Sequence, residues 1–492
     1  MSHTTAQQNQ NYHTARMWQI ALFSLNNSAT NLYNFAIGFV SYYATGIAGL
    51  TVAVVSIILT SMRVFDGVTD PIIGYIIDKT ESKLGKFRPL IILGNVILAG
   101  SILIMYNVTH MLPESMQFLF FIAIYVVYII GYTLQTAVTK AGQTVLTNHP
   151  KQRPLFSVFD GVFTMLVYGG GQFFVASNLV VKYNDEFSLA LFTELNMYVV
   201  IISALLSVCS VIAIWNKDRK EFYGLAENTV KTSFREYLPV LKKNRPLQML
   251  IIAASTDKLA SSSTRQPAVA VMFFGILIGD YALSGTISLV TMVPVLIISV
   301  LGSIYARKVG LKRSFVRGSW GALLAGAIIM IMMLMIDPTT ISMDNMGVNT
   351  WMFLILITAF LGLGGLTNAL VIPMIADVSD YETYKSGRYI PGMLGTIFSF
   401  VDKLISSLAP AIVGFMLAMI GYQEEFPQIG ESLTTALFIM SLVLYLGIPI
   451  LGYIASLLAM KFYTLDDKRM REVQEGIAEM KKIDMDQQEQ VQ

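Results

Sequence analysis

The sequence predicts an all-α polytopic membrane protein with twelve transmembrane helices in two six-helix bundles. Three observations support this fold class: 54% of the residues are hydrophobic and only 13% are charged, long apolar segments recur along the chain, and basic residues concentrate in alternate loops. Soluble proteins carry charged side chains at about a quarter of their positions, so this chain lacks the charge to cover a water-exposed surface. Its net charge of +2 does not indicate a nucleic-acid partner.

Twelve segments are long and apolar enough to cross a bilayer, which takes about 20 residues. They are predicted to begin near Met17, Thr51, Pro89, Met116, Pro154, Leu191, Leu247, Tyr281, Lys312, Thr350, Pro391 and Glu431. Between the sixth and the seventh segment lies the longest polar stretch. The predicted organisation is a cytoplasmic tail (1–16), a first bundle (17–216), a central cytoplasmic loop (217–246), a second bundle (247–462) and a C-terminal cytoplasmic tail (463–492) that begins as a short helix.

The charge of the short loops predicts the orientation of the chain. Every second loop is basic, and the basic residues are Lys79, Lys83, Lys86, Arg88, Lys151, Arg153, Arg307, Lys308, Lys312, Arg313, Lys385 and Arg388. The loops between them are mainly acidic. By the positive-inside rule, both termini face the cytoplasm, and we expect a multi-pass protein of a bacterial-type inner membrane. An odd number of spans would break the alternation.

The sequence lacks the motifs of an ATP-driven pump and of an enzyme. It contains no GxxxxGK[ST] loop and no HExxH motif, and its single cysteine, Cys209, excludes a disulfide within the chain. We therefore expect no catalytic residue and no cofactor. The expected partners are the lipid bilayer, a small-molecule solute and a coupling cation.

The second predicted span carries three charged residues, Arg63, Asp66 and Asp70. Spacings of three and four place them on one helical face. Ionisable groups inside a membrane are costly unless they are paired or hydrated, so each one indicates function. Two carboxylates one turn apart predict oxygen ligands for Na⁺ or a proton site. The alternative is a buried Arg–Asp pair that only fixes the packing of helices.

Polar faces on the first and fourth spans are candidates for binding a hydroxylated solute. The fourth carries Thr133, Thr136 and Lys140 at helical spacing. The first carries side chains that donate and accept hydrogen bonds, and its candidates are Asn26, Asn27, Thr30, Asn31 and Tyr33. Hydrogen bonding between helices is the alternative for both faces, and Lys140 could instead snorkel to the interface.

The candidates in the second half are mainly basic. Arg265 follows Asp257 and Lys258 in the seventh span, and Lys403 lies midway along the eleventh, beside Asp402. Lys403 is too deep to snorkel, and adjacent residues of a helix point in different directions, so Asp402 is a poor partner for it. Lys403 is therefore predicted to contribute to a site.

Two long blocks carry a family resemblance: RVFDGVTDPIIGYIIDKTESKLGKFRP (residues 63–89) and ADVSDYETYKSGRYIPGMLGTIFSFVDKL (residues 376–404). They resemble the signatures of the glycoside–pentoside–hexuronide:cation symporters, the melibiose-permease-like family of the major facilitator superfamily. The likeness extends over most of the chain. It implies the major facilitator fold, with a central cavity that opens alternately to each side of the membrane.

The resemblance also implies roles for particular residues. Asp66 and Asp70 match the aspartates that bind the coupling cation, Thr133 matches a threonine that assists them, and Lys403 matches a lysine that links the cation site to the sugar site. Thr69 stands where the family has a cation-site asparagine. This departure leaves both Na⁺ and H⁺ open as the coupling cation.

A second departure concerns the solute. Thr30 and Thr136 stand at or near positions where galactoside transporters of the family have acidic residues. With Lys140, Arg265 and Lys403 as the remaining candidate charges, and Arg63 as a further solute contact, the Coulomb balance favours an anionic solute such as a hexuronide.

We therefore predict a secondary active transporter that couples symport of a sugar, glycoside or hexuronide to a Na⁺ or H⁺ gradient by alternating access. Cytoplasmic loops of the two halves are expected to latch the inner gate by charge pairing. The predicted gating residues are Lys86, Arg88, Arg307, Lys308 and Asp380. Two alternatives stay open: a major facilitator exporter or carrier of a non-sugar or lipid-like solute, and a membrane sensor that transports nothing.

Overall fold

The computed structural model describes residues 13–80, 82–147, 149, 152–222, 237–387 and 391–491 of the 492-residue chain. Several predictions fall outside the described residues, namely those on residues 1–12 of the N-terminal tail, on residues 223–236 of the central loop, and on the loop bases Lys151 and Arg388. Every regular element among the described residues is a helix.

The α-helices are α1 Met17–Gly38, α2 Val40–Gly46, α3 Val52–Lys79, α4 Arg88–Val108, α5 Glu114–Leu146, α6 Arg153–Met165, α7 Gly171–Phe174, α8 Val180–Lys182, α9 Leu189–Ile214, α10 Tyr237–Lys243, α11 Arg245–Thr264, α12 Pro267–Ala270, α13 Ala282–Val309, α14 Leu311–Met335, α15 Val348–Ser386, α16 Pro391–Ser406, α17 Ala409–Met419, α18 Thr435–Leu442, α19 Ile448–Phe462 and α20 Asp467–Val491. Wider π-helical turns continue some of them, at Leu166–Gly170, Val175–Leu179, Val271–Ile278 and Val443–Gly447. Short 3₁₀ turns lie at Thr109–Met111, Lys220–Phe222 and Pro338–Thr340.

All twelve predicted spans coincide with helical segments. Among the described residues, ten segments are long and apolar enough to cross a membrane. The other two predicted spans are α1, and α11 with the apolar stretch Pro267–Ile278 that follows it. Their lower hydropathy has a visible cause, because α1 carries a row of amides and hydroxyls and α11 carries three charged residues, Arg245, Asp257 and Lys258. The predicted C-terminal helix is present as α20, which packs on α15. The prediction that it is short is wrong, because it spans 25 residues, Asp467–Val491.

The contacts divide the chain into two compact units. The first unit comprises Met1–Thr229, Tyr281–Leu289 and Gly414–Glu431. The second comprises Val230–Asp280, Val290–Val413 and Ser432–Gln492. The first unit thus includes two short segments of the predicted second bundle. The predicted domain boundaries stay a prediction.

Each unit has its own apolar core. In the first, side chains of α1, α3, α4, α5 and α9 pack together around Phe23, Ile91 and Leu146. A Cβ atom at Gly142 would lie 2.5 Å from the ring of Phe23, so glycine is what lets α1 and α5 approach this closely. In the second, α11, α14, α15, α16 and α19 pack around Phe315. These cores fix the helices that carry the candidate sites.

Candidate cation and solute site

Three oxygen-bearing side chains of α3 and α5 meet inside the first unit. The hydroxyl of Thr133 donates to Oδ1 of Asp66 at 2.8 Å, and the hydroxyl oxygens of Thr69 and Thr133 are 2.9 Å apart. Both threonines are buried, whereas Asp66 is half-buried. Carboxylate and other oxygen ligands are what hard cations prefer. The structure therefore brings together three of the four predicted cation ligands in one cluster.

Bonds to the backbone hold these hydroxyl groups in place. The hydroxyl of Thr69 is also within 2.9 Å of the carbonyl oxygen of Asp66, and that of Thr133 is within 2.9 Å of the carbonyl oxygen of Ile129. Each hydroxyl has one hydrogen, so these carbonyl oxygens are alternative acceptors for it. Thr136 donates to the carbonyl oxygen of Thr133 at 3.0 Å and is half-buried. A helical threonine commonly bonds to the preceding turn in this way, which restricts its χ1 angle. The oxygen cluster is therefore preorganised by the helices themselves.

Arg63 and Asp70 flank Asp66 on α3, three residues before it and four residues after it, and both are exposed. The ring of Tyr132 on α5 lies close enough for the charges of Asp66, Arg63 and Asp70 to act on its phenol. The predicted charged face of α3 is thus turned toward α5. Asp70, the fourth predicted cation ligand, is accessible, whereas the two threonines form the buried side of the cluster.

Part of the polar face of α1 is committed to packing within the first unit. Nδ2 of Asn26 donates to Oγ1 of Thr139 at 2.7 Å, the hydroxyl of Thr30 donates to the carbonyl oxygen of Asn26 at 2.9 Å, and the phenol of Tyr33 donates to Oδ1 of Asn95 at 3.5 Å. Asn26, Thr30 and Tyr33 are buried. These contacts support the alternative of hydrogen bonding between and within helices, and their role in binding solute stays a prediction.

The remaining amides of α1 lie along α6 and the π-helical turn that continues it. Nδ2 of Asn31 donates to Oγ1 of Thr164 at 3.1 Å, and Nδ2 of Asn34 donates to the phenol of Tyr168 at 2.7 Å. Asn27, Asn31 and Asn34 are half-buried. The π-helical turn at Tyr168 is of interest because such turns are frequent at functional sites. This part of α1 is accessible enough to contact a solute.

The predicted basic residues differ in their surroundings. Lys140 and Arg265 are exposed, and neither forms an ion pair with any residue that the structure describes. Lys403 is half-buried. Its neighbour Asp402 is buried and accepts a hydrogen bond from Nζ of Lys258 on α11. Asp402 is therefore not committed to Lys403, as the directions of adjacent helix residues predict.

The predicted gating residues Lys86 and Arg88 belong to a cluster centred on Asp218, a residue that was not among the predicted site residues. Oδ1 of Asp218 accepts the backbone N–H of Lys86 at 2.9 Å. Oδ2 accepts those of Phe87 at 3.0 Å and Arg88 at 2.9 Å, and it also accepts Nε of Arg88 at 3.4 Å. The Asp218 side chain is fully buried. It thereby fixes the start of α4 to the segment that follows α9.

The gating candidates of the second unit are less enclosed. Arg307 and Lys308 at the end of α13 are exposed. Asp380 on α15 is half-buried and accepts a hydrogen bond from Nε2 of Gln474 on α20 at 2.7 Å. Their gating role stays a prediction.

The charge balance drawn from the sequence omitted one acidic residue, Asp160 on α6. It is half-buried and lies beside Ser24 of α1, and its Oδ1 atom has no hydrogen-bond partner among the described residues. The signal was available, because an acid within the apolar run VFDGVF is itself unusual for a span. The first unit therefore contains more acidic residues than the predicted charge balance includes. Asp218 offered no such signal, since it lies in a charged loop.

Comparison with known proteins defines the class. Helices of membrane-spanning length, arranged in two compact units, are those of a multi-pass transporter of the major facilitator type. Residues 22–467 match the family described as MFS/sugar transport protein. The chain belongs to this family, and the predicted resemblance to glycoside–pentoside–hexuronide:cation symporters is confirmed.

Curated relatives and solved structures agree with this assignment. A glucuronide carrier protein homolog of Escherichia coli (strain K12) is 24% identical over 483 residues, which cover 94% of this chain and 95% of that protein. An isoprimeverose transporter of Lactiplantibacillus pentosus is 23% identical over 448 residues, which cover 90% of this chain and 88% of that protein. The crystal structure of the nucleoside transporter NupG, at 12% identity, aligns with a TM-score of 0.59 over 91% of this chain and 100% of that chain. The predicted fold is confirmed, and neither an exporter nor a non-transporting sensor is favoured.

Proposed function

We propose that the chain couples the downhill entry of Na⁺ or H⁺ to the uptake of a sugar-like solute across a bacterial-type cytoplasmic membrane, with both termini in the cytoplasm. The observation that carries this proposal is the oxygen cluster of Asp66, Thr69 and Thr133, with Asp70 one helical turn away. A pair of carboxylates in a membrane protein is stabilised by any cation that binds between them. The alternation of basic loops supports the orientation.

The cluster explains how a cation would act on the transporter. Binding at Asp66 and Asp70 reduces the repulsion between the two carboxylates and links α3 to α5 through Thr133. If this arrangement raises the affinity for solute, the solute raises the affinity for the cation by the same factor. Thr69 contributes a hydroxyl oxygen and no amide, so the cluster is built from oxygen atoms that suit Na⁺, and its acids suit H⁺ equally.

For the solute, we favour a hexuronide or another acidic glycoside. Lys140 and Arg265 are exposed basic residues, and one relative over nearly the whole chain is a glucuronide carrier protein homolog. The second candidate is a neutral glycoside. It is supported by Asp160, which adds a negative charge in the first unit, and by the isoprimeverose transporter among the relatives.

Transport into proteoliposomes tests the coupling. Asp66→Asn and Asp70→Asn should each abolish the accumulation of solute that a Na⁺ or H⁺ gradient drives. Both variants should still let solute move down its own concentration gradient. Asp344→Asn, which changes an exposed loop acid, is the matched control and should accumulate solute normally. Gradient-driven accumulation that survives in both Asp66→Asn and Asp70→Asn would refute the assignment of the cation site.

A thermal-shift screen of the purified protein tests the solute class. Uronides and neutral glycosides are compared, each with and without Na⁺. Stabilisation by uronides, strengthened by Na⁺, supports an anionic solute and sodium coupling. Stabilisation by neutral glycosides alone removes the anionic-solute proposal and leaves cation-coupled symport standing.

A further inference from the structure

The second unit contains a buried carboxyl group that the proposed cation site does not use. Asp257 lies on α11 and is only 6% exposed. Its Oδ1 atom accepts a hydrogen bond from the hydroxyl of Ser456 on α19 at 2.5 Å. Its Oδ2 atom is inaccessible to solvent and has no hydrogen-bond partner among the described residues. An ionised carboxylate in such a place is poorly compensated.

The elements packed against α11 present hydroxyl groups to Asp257. Besides Ser456, α19 places the phenol of Tyr453 within range of its charge, and α15 places the hydroxyl of Thr367 beside its carboxyl group. On α16, Asp402 faces α11 but accepts its hydrogen bond from Lys258. None of the hydroxyl groups carries a charge that would stabilise the carboxylate.

Lys258, the charged residue nearest to Asp257 in sequence, is directed elsewhere. Lys258 follows Asp257 on α11, but adjacent helix residues point in different directions, and its Nζ donates to Asp402 on α16. Lys403 follows Asp402 and is half-buried. The groups placed against the carboxyl group of Asp257 are therefore the uncharged hydroxyl groups of Ser456 and Thr367.

Few hydrogen-bond donors reach the carboxyl group of Asp257. The single hydroxyl hydrogen of Ser456 is shared between Oδ1 of Asp257 and the carbonyl oxygen of Ala253, which is 2.8 Å away. The hydroxyl of Thr367 has an acceptor of its own in the carbonyl oxygen of Gly364 at 2.9 Å. A carboxylate only accepts hydrogen bonds, whereas a protonated carboxyl group needs fewer donors and carries one itself. The neutral acid therefore fits this donor-poor site better than the anion.

We propose that Asp257 is a proton-binding site of the second unit and holds a proton in the conformation described here. One proton from water converts the carboxylate to the carboxylic acid, with no other reactant. The site is separate in sequence and in helix from the acids at Asp66 and Asp70. The proposed proton site at Asp257 does not depend on whether Asp66 and Asp70 bind the coupling cation.

Infrared difference spectroscopy of the full-length protein in lipid tests the proposal. The carbonyl stretch of a protonated carboxylic acid, identified by its shift from H₂O to D₂O, should be present in the wild type at neutral pH. One component of this band should be lost in Asp257→Asn, whose amide preserves the shape of the neutral acid. The component should be retained in Asp402→Asn, because Asp402 is paired with Lys258, and in Asp66→Asn. Identical bands in the wild type and Asp257→Asn would overturn the proposal.

A second variant keeps the test decisive if Asp257→Asn does not fold. Ser456→Ala removes the hydrogen bond to Oδ1 and should move the same component to higher frequency, because the carbonyl group loses its donor. An unmoved band would overturn the proposal. Since Asp66→Asn should keep this band while losing coupled uptake, failure of the proton site and failure of the proposed cation site are distinguishable.

Discussion

Replacing Asp218 by asparagine is the sharpest test of how the first unit holds the loop before α4. The carboxylate accepts three consecutive backbone N–H groups, those of Lys86, Phe87 and Arg88, at 2.9–3.0 Å. In Asp218→Asn, the shape is kept but the charge is lost, and one oxygen becomes an NH₂ group. At least one backbone N–H then faces another donor. The substitution should therefore loosen this loop without opening a cavity.

The size of the effect follows from the bonds. Hydrogen bonds to a charged group contribute about 1.5–3 kcal/mol each, and neutral ones contribute about 1 kcal/mol. Two weakened bonds and one buried N–H without an acceptor together cost about 3–5 kcal/mol. If the whole cost is lost from the stability of the closed loop, the equilibrium constant for local opening of the loop rises by about 100-fold or more.

Hydrogen exchange followed by mass spectrometry measures this directly. The amides of Lys86, Phe87 and Arg88 should lose at least about 100-fold of their protection in Asp218→Asn, whereas amides in the middle of α4 should be unaffected. Asp344→Asn, at an exposed loop acid, serves as the control and should leave the loop protected. Equal protection of the loop in the wild type and in Asp218→Asn would refute the reasoning, because the three bonds would then not hold it.

Two further predictions concern side chains whose roles remain predictions. Thr133→Val should raise the half-saturating concentration of the coupling cation by about tenfold or more, since one oxygen ligand worth about 1–2 kcal/mol is removed. Thr133→Ser keeps a hydroxyl group and should restore the wild-type concentration. An unchanged concentration in Thr133→Val contradicts the assignment of Thr133 to the cation site. Asn26→Leu should lower the thermal unfolding temperature, because the buried hydroxyl of Thr139 loses its donor at a cost of about 1–3 kcal/mol, while the KM for solute changes less than about twofold. A large rise in KM with unchanged stability would instead place Asn26 at the solute.

The sequence predicted what local information determines. Apolar length fixed the positions of the spans, and the spacing of Arg63, Asp66 and Asp70 predicted a common face, because both properties depend on one helix at a time. By contrast, which residue of another helix a side chain contacts depends on how two helices pack. Spacing showed that Asp402 is a poor partner for Lys403, but Lys258 lies 144 residues away and could not be chosen from sequence. Asp218 and its three amide donors are similarly separated by 130 to 132 residues.

The two acidic sites differ mainly in access, and access decides which ion each can take. Na⁺ needs several oxygen ligands and a route for partly hydrated entry, whereas a proton needs one carboxyl oxygen and very little space. Asp66 is half-buried, lies beside two threonine hydroxyl groups and is followed by the exposed Asp70, so it meets the requirements of either ion. Within the part of the chain that the structure describes, Asp257 accepts one hydrogen bond and its second oxygen is inaccessible, which suits a proton alone. Any dependence of transport on Na⁺ should therefore follow substitutions on α3, and a dependence on pH that persists in those variants should follow Asp257.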